Sequence, residues 1–137
     1  MARKERSNMA KEKVIVITSS NELFVRELER KDNGLMNDGL QAIVGGYIEI
    51  VHPIHLEPPF VLVCNDEGKI RDLPRNRACS LLYGYAEHGI PMEGNIILMK
   101  EGFYQDEPDI VGLTDAEISE MTEKLLQQFR FLKKGKV

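Results

Sequence analysis

Leu40-Gln41-Ala42-Ile43-Val44-Gly45-Gly46-Tyr47-Ile48-Glu49-Ile50-Val51 is the stretch whose reading decides the fold. Leu40, Ile43 and Val44, with Leu35 before them, form an apolar stripe over about two and a half helical turns. Asn37 or Asp38 offers a cap, and Gly45-Gly46 stops the helix as glycine commonly does. Tyr47 to Val51 follows directly as a strand of β-branched and aromatic residues around Glu49.

Towards the N-terminus, Val14-Ile15-Val16-Ile17-Thr18 is a β-branched run, the mark of a strand buried on both faces. Ser19-Ser20-Asn21 breaks it, and Asp32-Asn33-Gly34 marks a turn. Between them, Phe24 to Arg30 fits two states, because Phe24 and Leu28 suit a helix while Phe24-Val25-Arg26-Glu27-Leu28 suits a short strand. Towards the C-terminus, Pro53, Pro58 and Pro59 make 52–59 a loop, and Phe60-Val61-Leu62-Val63-Cys64 is the next strand. Asn65-Asp66-Glu67-Gly68 reads as a hairpin turn, with Gly68 supplying a positive φ and the chain returning through Lys69-Ile70-Arg71. Leu73-Pro74-Arg75-Asn76-Arg77 leads into a helix over about 75–87, with Ala78, Leu81, Leu82 and Tyr85 inward. Gly89-Ile90-Pro91 ends it, and Asn95 to Met99 is a further strand. The acid-rich stretch 100–112 reads as an exposed loop or a short hairpin. Thr114-Asp115-Ala116-Glu117 is a capping box, and Ile118, Met121, Leu125, Phe129 and Leu132 share one stripe of the helix behind it. The expected class is α+β: a small, mostly antiparallel sheet with about three helices packed on one face.

The 137 residues suit one domain, divided as a basic leader over 1–12 expected to be disordered, a body over 13–132 and a basic tail over 133–137. No run of apolar residues is long enough for a membrane span, and the charged start lacks the pattern of a secretory signal. Cys64 and Cys79 are therefore expected to be reduced core thiols in a cytoplasmic protein. Net charge is −4, but the two basic ends hide a body, residues 14–129, of nine basic and twenty acidic residues. Such a body repels nucleic acid, whose binding rests on neutralising phosphates.

His52, His55 and His88 show no zinc spacing, and no metal or cofactor is expected. Neither cysteine has an activating motif, so no nucleophile is expected and the protein is read as no enzyme. One group departs from the acidic background: Arg71, Arg75 and Arg77 flank Asn76 at a helix entrance. Arginine's planar fork suits phosphate, which makes these four, with Tyr47 and Glu49 on the strand after the glycine stop, the candidate ligand-binding residues. The plainer alternative makes Asn76 an N-cap and pairs the arginines with Asp72 and nearby acids.

The run from Leu40 to Glu49, then Cys64-Asn65-Asp66-Glu67-Gly68-Lys69, Leu73-Pro74-Arg75-Asn76-Arg77, Gly94-Asn95-Ile96-Ile97 and Leu113-Thr114-Asp115 occur in one order. Together they resemble a family of uncharacterised small domains encoded by phages, plasmids and integrative elements, mainly of Firmicutes. The resemblance covers roughly 13–130 and carries no established activity. It implies a mobile-element setting, and with it a non-catalytic binding protein directed against host defence. Such a protein would sequester a nucleotide-derived signalling molecule or block a host defence protein, and homo-oligomerisation stays open. The alternatives are a nucleic-acid-associated regulator acting through the basic ends, and an enzyme cleaving a nucleotide at a site built from Glu49, Asn76 and the arginines.

Overall fold

The computed structural model describes residues 11–31, 36–68 and 72–135. They form strands β1 (Lys11–Ile17) and β2 (Glu22–Glu29), helix α1 (Asn37–Val44), and strands β3 (Ile48–Val51) and β4 (Phe60–Asn65). Helices α2 (Arg77–Tyr83) and α3 (Tyr85–His88), strands β5 (Ile96–Tyr104) and β6 (Glu107–Val111), helix α4 (Asp115–Gln128) and strand β7 (Lys133–Lys134) complete the chain. The sheet runs β3-β4-β5-β1-β2-β7, with β6 pairing to β5. Every pairing is antiparallel except the short β2–β7 contact. The class is α+β, with a mostly antiparallel sheet.

The β-branched runs explain why the helices do not share one face, as the sequence suggested. Side chains alternate along a strand, so a run that is apolar throughout needs cover on both sides. Val14 and Val16 of β1, Val61 and Val63 of β4, and Ile97 and Met99 of β5 pack with Leu40 and Val44 of α1. Ile15 and Ile17, Leu62 and Cys64, and Ile96 and Leu98 pack instead with Ala78, Cys79 and Leu82 of α2 and Met121 and Leu125 of α4. The three inner strands are thus sandwiched between α1 and the α2–α4 layer.

The segment that fitted two states is β2, paired with β1 over seven positions from Lys11↔Glu29 to Ile17↔Leu23. Ser19-Ser20-Asn21 is the turn of that hairpin, with Asn21 left-handed at φ 69°. The stretch after Met99 is no loop: β5 runs on to Tyr104 and returns as β6 through Gln105 and Asp106, both at positive φ as a tight hairpin requires. Lys11 and Glu12, read as leader, open β1, and Lys133 and Lys134, read as tail, form β7. The remaining leader residues, the return strand 69–71 and Leu35 lie outside the described residues.

Local signals fare unevenly. The capping box is present: the Thr114 hydroxyl accepts from the Glu117 N–H at 3.1 Å, and the Glu117 carboxylate accepts from the Thr114 N–H at 2.8 Å. Gly45 ends α1 in the left-handed conformation, at φ 86°. Neither Asn37 nor Asp38 caps that helix, whose N-cap position is Met36. Gly68 is not left-handed, whereas Asp72 is, at φ 54°. The helix read over 75–87 breaks at Gly84 into α2 and α3, and Leu81 and Tyr85 turn to solvent rather than inward.

Candidate functional site

Asn76 stands where a strand-like approach becomes a helix. Its backbone is extended, and its side-chain oxygen accepts from the Cys79 N–H at 3.0 Å, which makes it the N-cap of α2. Its amide nitrogen donates to the Ile17 carbonyl and to the Gly94 carbonyl, each at 2.9 Å. Both donors and the oxygen are committed, and the residue is 0% exposed. Asn76 ties α2 to β1 and to the approach to β5, and offers nothing to a ligand.

Arg75 and Arg77 are exposed on either side of it. Arg75 forms a backbone bridge with Glu93, and its guanidinium lies 5.3 Å from the centre of the Tyr85 ring. The Arg77 guanidinium lies 4.0 Å from that of Phe131. These aromatic faces, rather than the expected carboxylates, hold the two side chains. Arg71 lies outside the described residues.

Tyr47 and Glu49 are placed elsewhere. Tyr47, 70% exposed, immediately precedes β3, and its carbonyl accepts from the Asp66 N–H at 3.0 Å. Glu49 lines a cleft of about 250 Å³ between the β3–β4 edge and the chain around Ile90. Val51, Cys64, Tyr83 and Met92 form its apolar part, and Asp66, Glu67 and Glu93 join Glu49 as carboxylates. None of these four carboxylates has an ion-pair partner among the described residues. Burial, aided by the charges of Glu49 and Asp66, pushes the Cys64 thiol up to about 12. Burial likewise raises the Cys79 thiol. Both therefore stay protonated at neutral pH, the wrong state for a nucleophile.

The histidines are dispersed. His52 meets Glu101 at 2.9 Å, His55 meets Glu87 at 3.0 Å, and His88 stacks on Tyr83 with ring centres 4.2 Å apart.

Sequence reasoning missed Arg30, the one buried cation among the described residues, 1% exposed. Its guanidinium donates to the Glu12 carboxylate, to Asp109 at 2.9 Å and to the Ile110 carbonyl at 3.0 Å, and lies 4.3 Å from the centre of the Tyr104 ring. Glu12 also accepts from the Gly112 N–H at 2.7 Å. The network joins β1, β2 and the β5–β6 hairpin. Partial burial raises the Glu12 carboxyl, but hydrogen bonds from Arg30 and Gly112 outweigh it and hold the group below its ordinary range. No local signal marked Arg30, because its role depends on strands that are distant in sequence.

With this geometry in hand, comparison with known proteins settles the family. The model of a domain of unknown function, DUF3846, matches residues 11–126. The chain belongs to the DUF3846 family. The match spans β1 to β6, α1 to α3 and most of α4, so the cleft and both exposed arginines belong to the DUF3846 domain itself. A search of curated proteins finds no match. Among solved structures, this DUF3846 chain is similar to a chain of the small RNA methyltransferase HEN1, with a TM-score of 0.56 and 13% identity. The alignment covers 87% of this chain but 17% of the HEN1 chain, and it speaks to the fold alone. No described helix is long and apolar enough to cross a membrane.

Proposed function

We propose that this DUF3846 domain is a non-catalytic binding module whose ligand is a protein. The observation that carries the reading is the acidic cleft beside β3, where Glu49, Asp66, Glu67 and Glu93 converge around an apolar floor. Four carboxylates repel a phosphate-bearing molecule, and protonated thiols give no nucleophile. Charged groups rimming apolar surface suit a protein interface, in which they set specificity and approach. In the mobile-element setting that the sequence resemblance implies, the partner is a host defence protein, and occupation of its surface blocks it.

Arg75 and Arg77 favour a second reading, capture of a phosphate-bearing small molecule, since they are exposed guanidinium groups on aromatic supports. Native mass spectrometry of the protein from infected, defence-positive cells separates the two. A stoichiometric complex with a second polypeptide, and no retained nucleotide after denaturation, is expected. A retained nucleotide with no second polypeptide would overturn the protein-binding reading and move the weight to the arginines.

A further inference from the structure

The backbone at the end of the sheet carries more information than its side chains alone. β3 is the terminal strand, hydrogen-bonded to β4 in the register Ile48↔Asn65, Glu49↔Cys64, Ile50↔Val63, Val51↔Leu62. The Tyr47 carbonyl takes the Asp66 N–H, so Tyr47 and Asp66 form a bonded pair of the ladder. Bonded and unbonded pairs alternate along an antiparallel ladder. Glu49 and Val51 therefore direct their N–H and C=O groups at β4, while Ile48 and Ile50 direct theirs away from the sheet. No described strand lies beyond them.

The two faces flanking this open edge differ in chemistry. Glu49 and Val51 stand on the cleft side with Asp66, Glu67 and Glu93. Ile50, 40% exposed, stands with Val63 on the α1 side. There a shallow groove joins it to Phe103, Pro108 and Ile110, with Glu101 and Asp109 also in its lining. Phe103 is 72% exposed, since α1 is only eight residues long and packs over the inner strands. The opposite end of the sheet offers no equivalent, because β7 is two exposed lysines.

We propose that β3 is a strand-addition site for an extended segment of the partner in which basic residues alternate with apolar ones. This rests on the protein-binding reading above and names its mode. The added strand bonds to the outward groups of Ile48 and Ile50. Its alternate side chains fall on opposite faces. The basic ones meet the carboxylates of the cleft, and the apolar ones cover Ile50. Backbone pairing supplies affinity and the two unlike faces supply register and specificity.

The test uses the full chain and an acetylated, amidated hexapeptide of alternating lysine and valine, with an alternating glutamate–valine peptide as its counterpart. Hydrogen exchange followed by NMR should show the lysine peptide slowing the Ile48 and Ile50 amides, while Glu49 and Val51, already bonded, change little. The glutamate peptide should bind at least about tenfold more weakly, from like-charge repulsion. Ile50→Pro removes one outward donor without taking a bond from the β3–β4 ladder, and Glu49→Lys reverses a charge; each should weaken the lysine peptide about tenfold. Should Ile50→Pro disturb the ladder, Glu49→Lys, at an exposed position, carries the test alone. Strand addition is overturned if the lysine peptide leaves the Ile48 and Ile50 amides exchanging as in the free protein. It is equally overturned if a folded Glu49→Lys variant binds the peptide as tightly as the parent. The peptide measurement needs no partner from cells, so its failure would leave the protein-binding reading, tested by mass, standing.

Discussion

Arg30 and Arg77 are the same residue with opposite fates, and the contrast explains how the molecule divides its labour. Arg30 is buried where three elements meet, and each side of its guanidinium faces a committed acceptor. Arg77 rests on the ring of Phe131 at the surface, with no ion-pair partner among the described residues. A buried charge without partners is too costly to persist, so burial by itself implies a structural network. An exposed arginine carries no such obligation. The two buried asparagines tell the same story: Asn76 secures α2, and Asn65 donates to the Val44 carbonyl at 3.1 Å and accepts from the Glu67 N–H at 2.7 Å. What is buried and polar here holds the fold together.

The contrast is most directly broken at Arg30. Arg30→Met strips the partner from Glu12 and Asp109, and should cost about 3 kcal/mol, the lower end for breaking a buried pair because both carboxylates are partly exposed. A loss of less than about 1 kcal/mol in the free energy of urea unfolding would show the network to be incidental. The same variant has a pH signature. The folded-state pKa of Glu12 is depressed, so its contribution is complete above the ordinary glutamate pKa, about 4.3, and is lost as pH falls through the lowered value. The parent should therefore lose stability on acidification from pH 5 downwards more steeply than Arg30→Met does, and parallel pH profiles would contradict that assignment.

Asn76→Ala comes next. It removes an N-cap and leaves the buried carbonyls of Ile17 and Gly94 without a donor, for a total of about 2–3 kcal/mol. Loss of ligand binding by a variant of undiminished stability would restore Asn76 to the site. Thr114→Ala should cost about 1 kcal/mol, since the cap it removes is exposed and single. An unchanged midpoint there would mean that the start of α4 frays without consequence. The smallest effect belongs to the surface: Arg75→Ala combined with Arg77→Ala should leave the urea midpoint essentially where it was. If that stable double variant also loses the partner retained in native mass spectrometry while a folded Glu49→Lys variant keeps it, the exposed arginines are the binding surface and the β3 edge is not.

Local chemistry was legible in several places where its partners lie a few residues apart, though not at the start of α1 or at Gly68. The capping box of α4 needs only Thr114 and Glu117, the glycine stop of α1 needs only a residue free to adopt positive φ, and the unbroken apolar runs of β1 and β4 announce strands covered on both sides. Even the N-cap role of Asn76 was available as the plainer alternative. The segment Glu22–Glu29 could not be decided locally, because four-residue spacing of Phe24 and Leu28 satisfies either period; pairing with β1 decides it. The acid-rich stretch after Met99 was left between loop and hairpin for a related reason, since its strands gain their pairing from each other.

The amino-acid sequence by itself determined the α+β class, the inner strands, the glycine stop of α1 and the capped start of α4, because these follow from short-range spacing and from single residues with distinctive backbone freedom. Tertiary structure alone decided which face each helix covers, that Arg30 is buried and Arg77 is not, and that Glu49 joins Asp66, Glu67 and Glu93 rather than the arginines. Those outcomes depend on which strands become neighbours, and the free energy of a charge is set by the neighbours it meets rather than by its place along the chain.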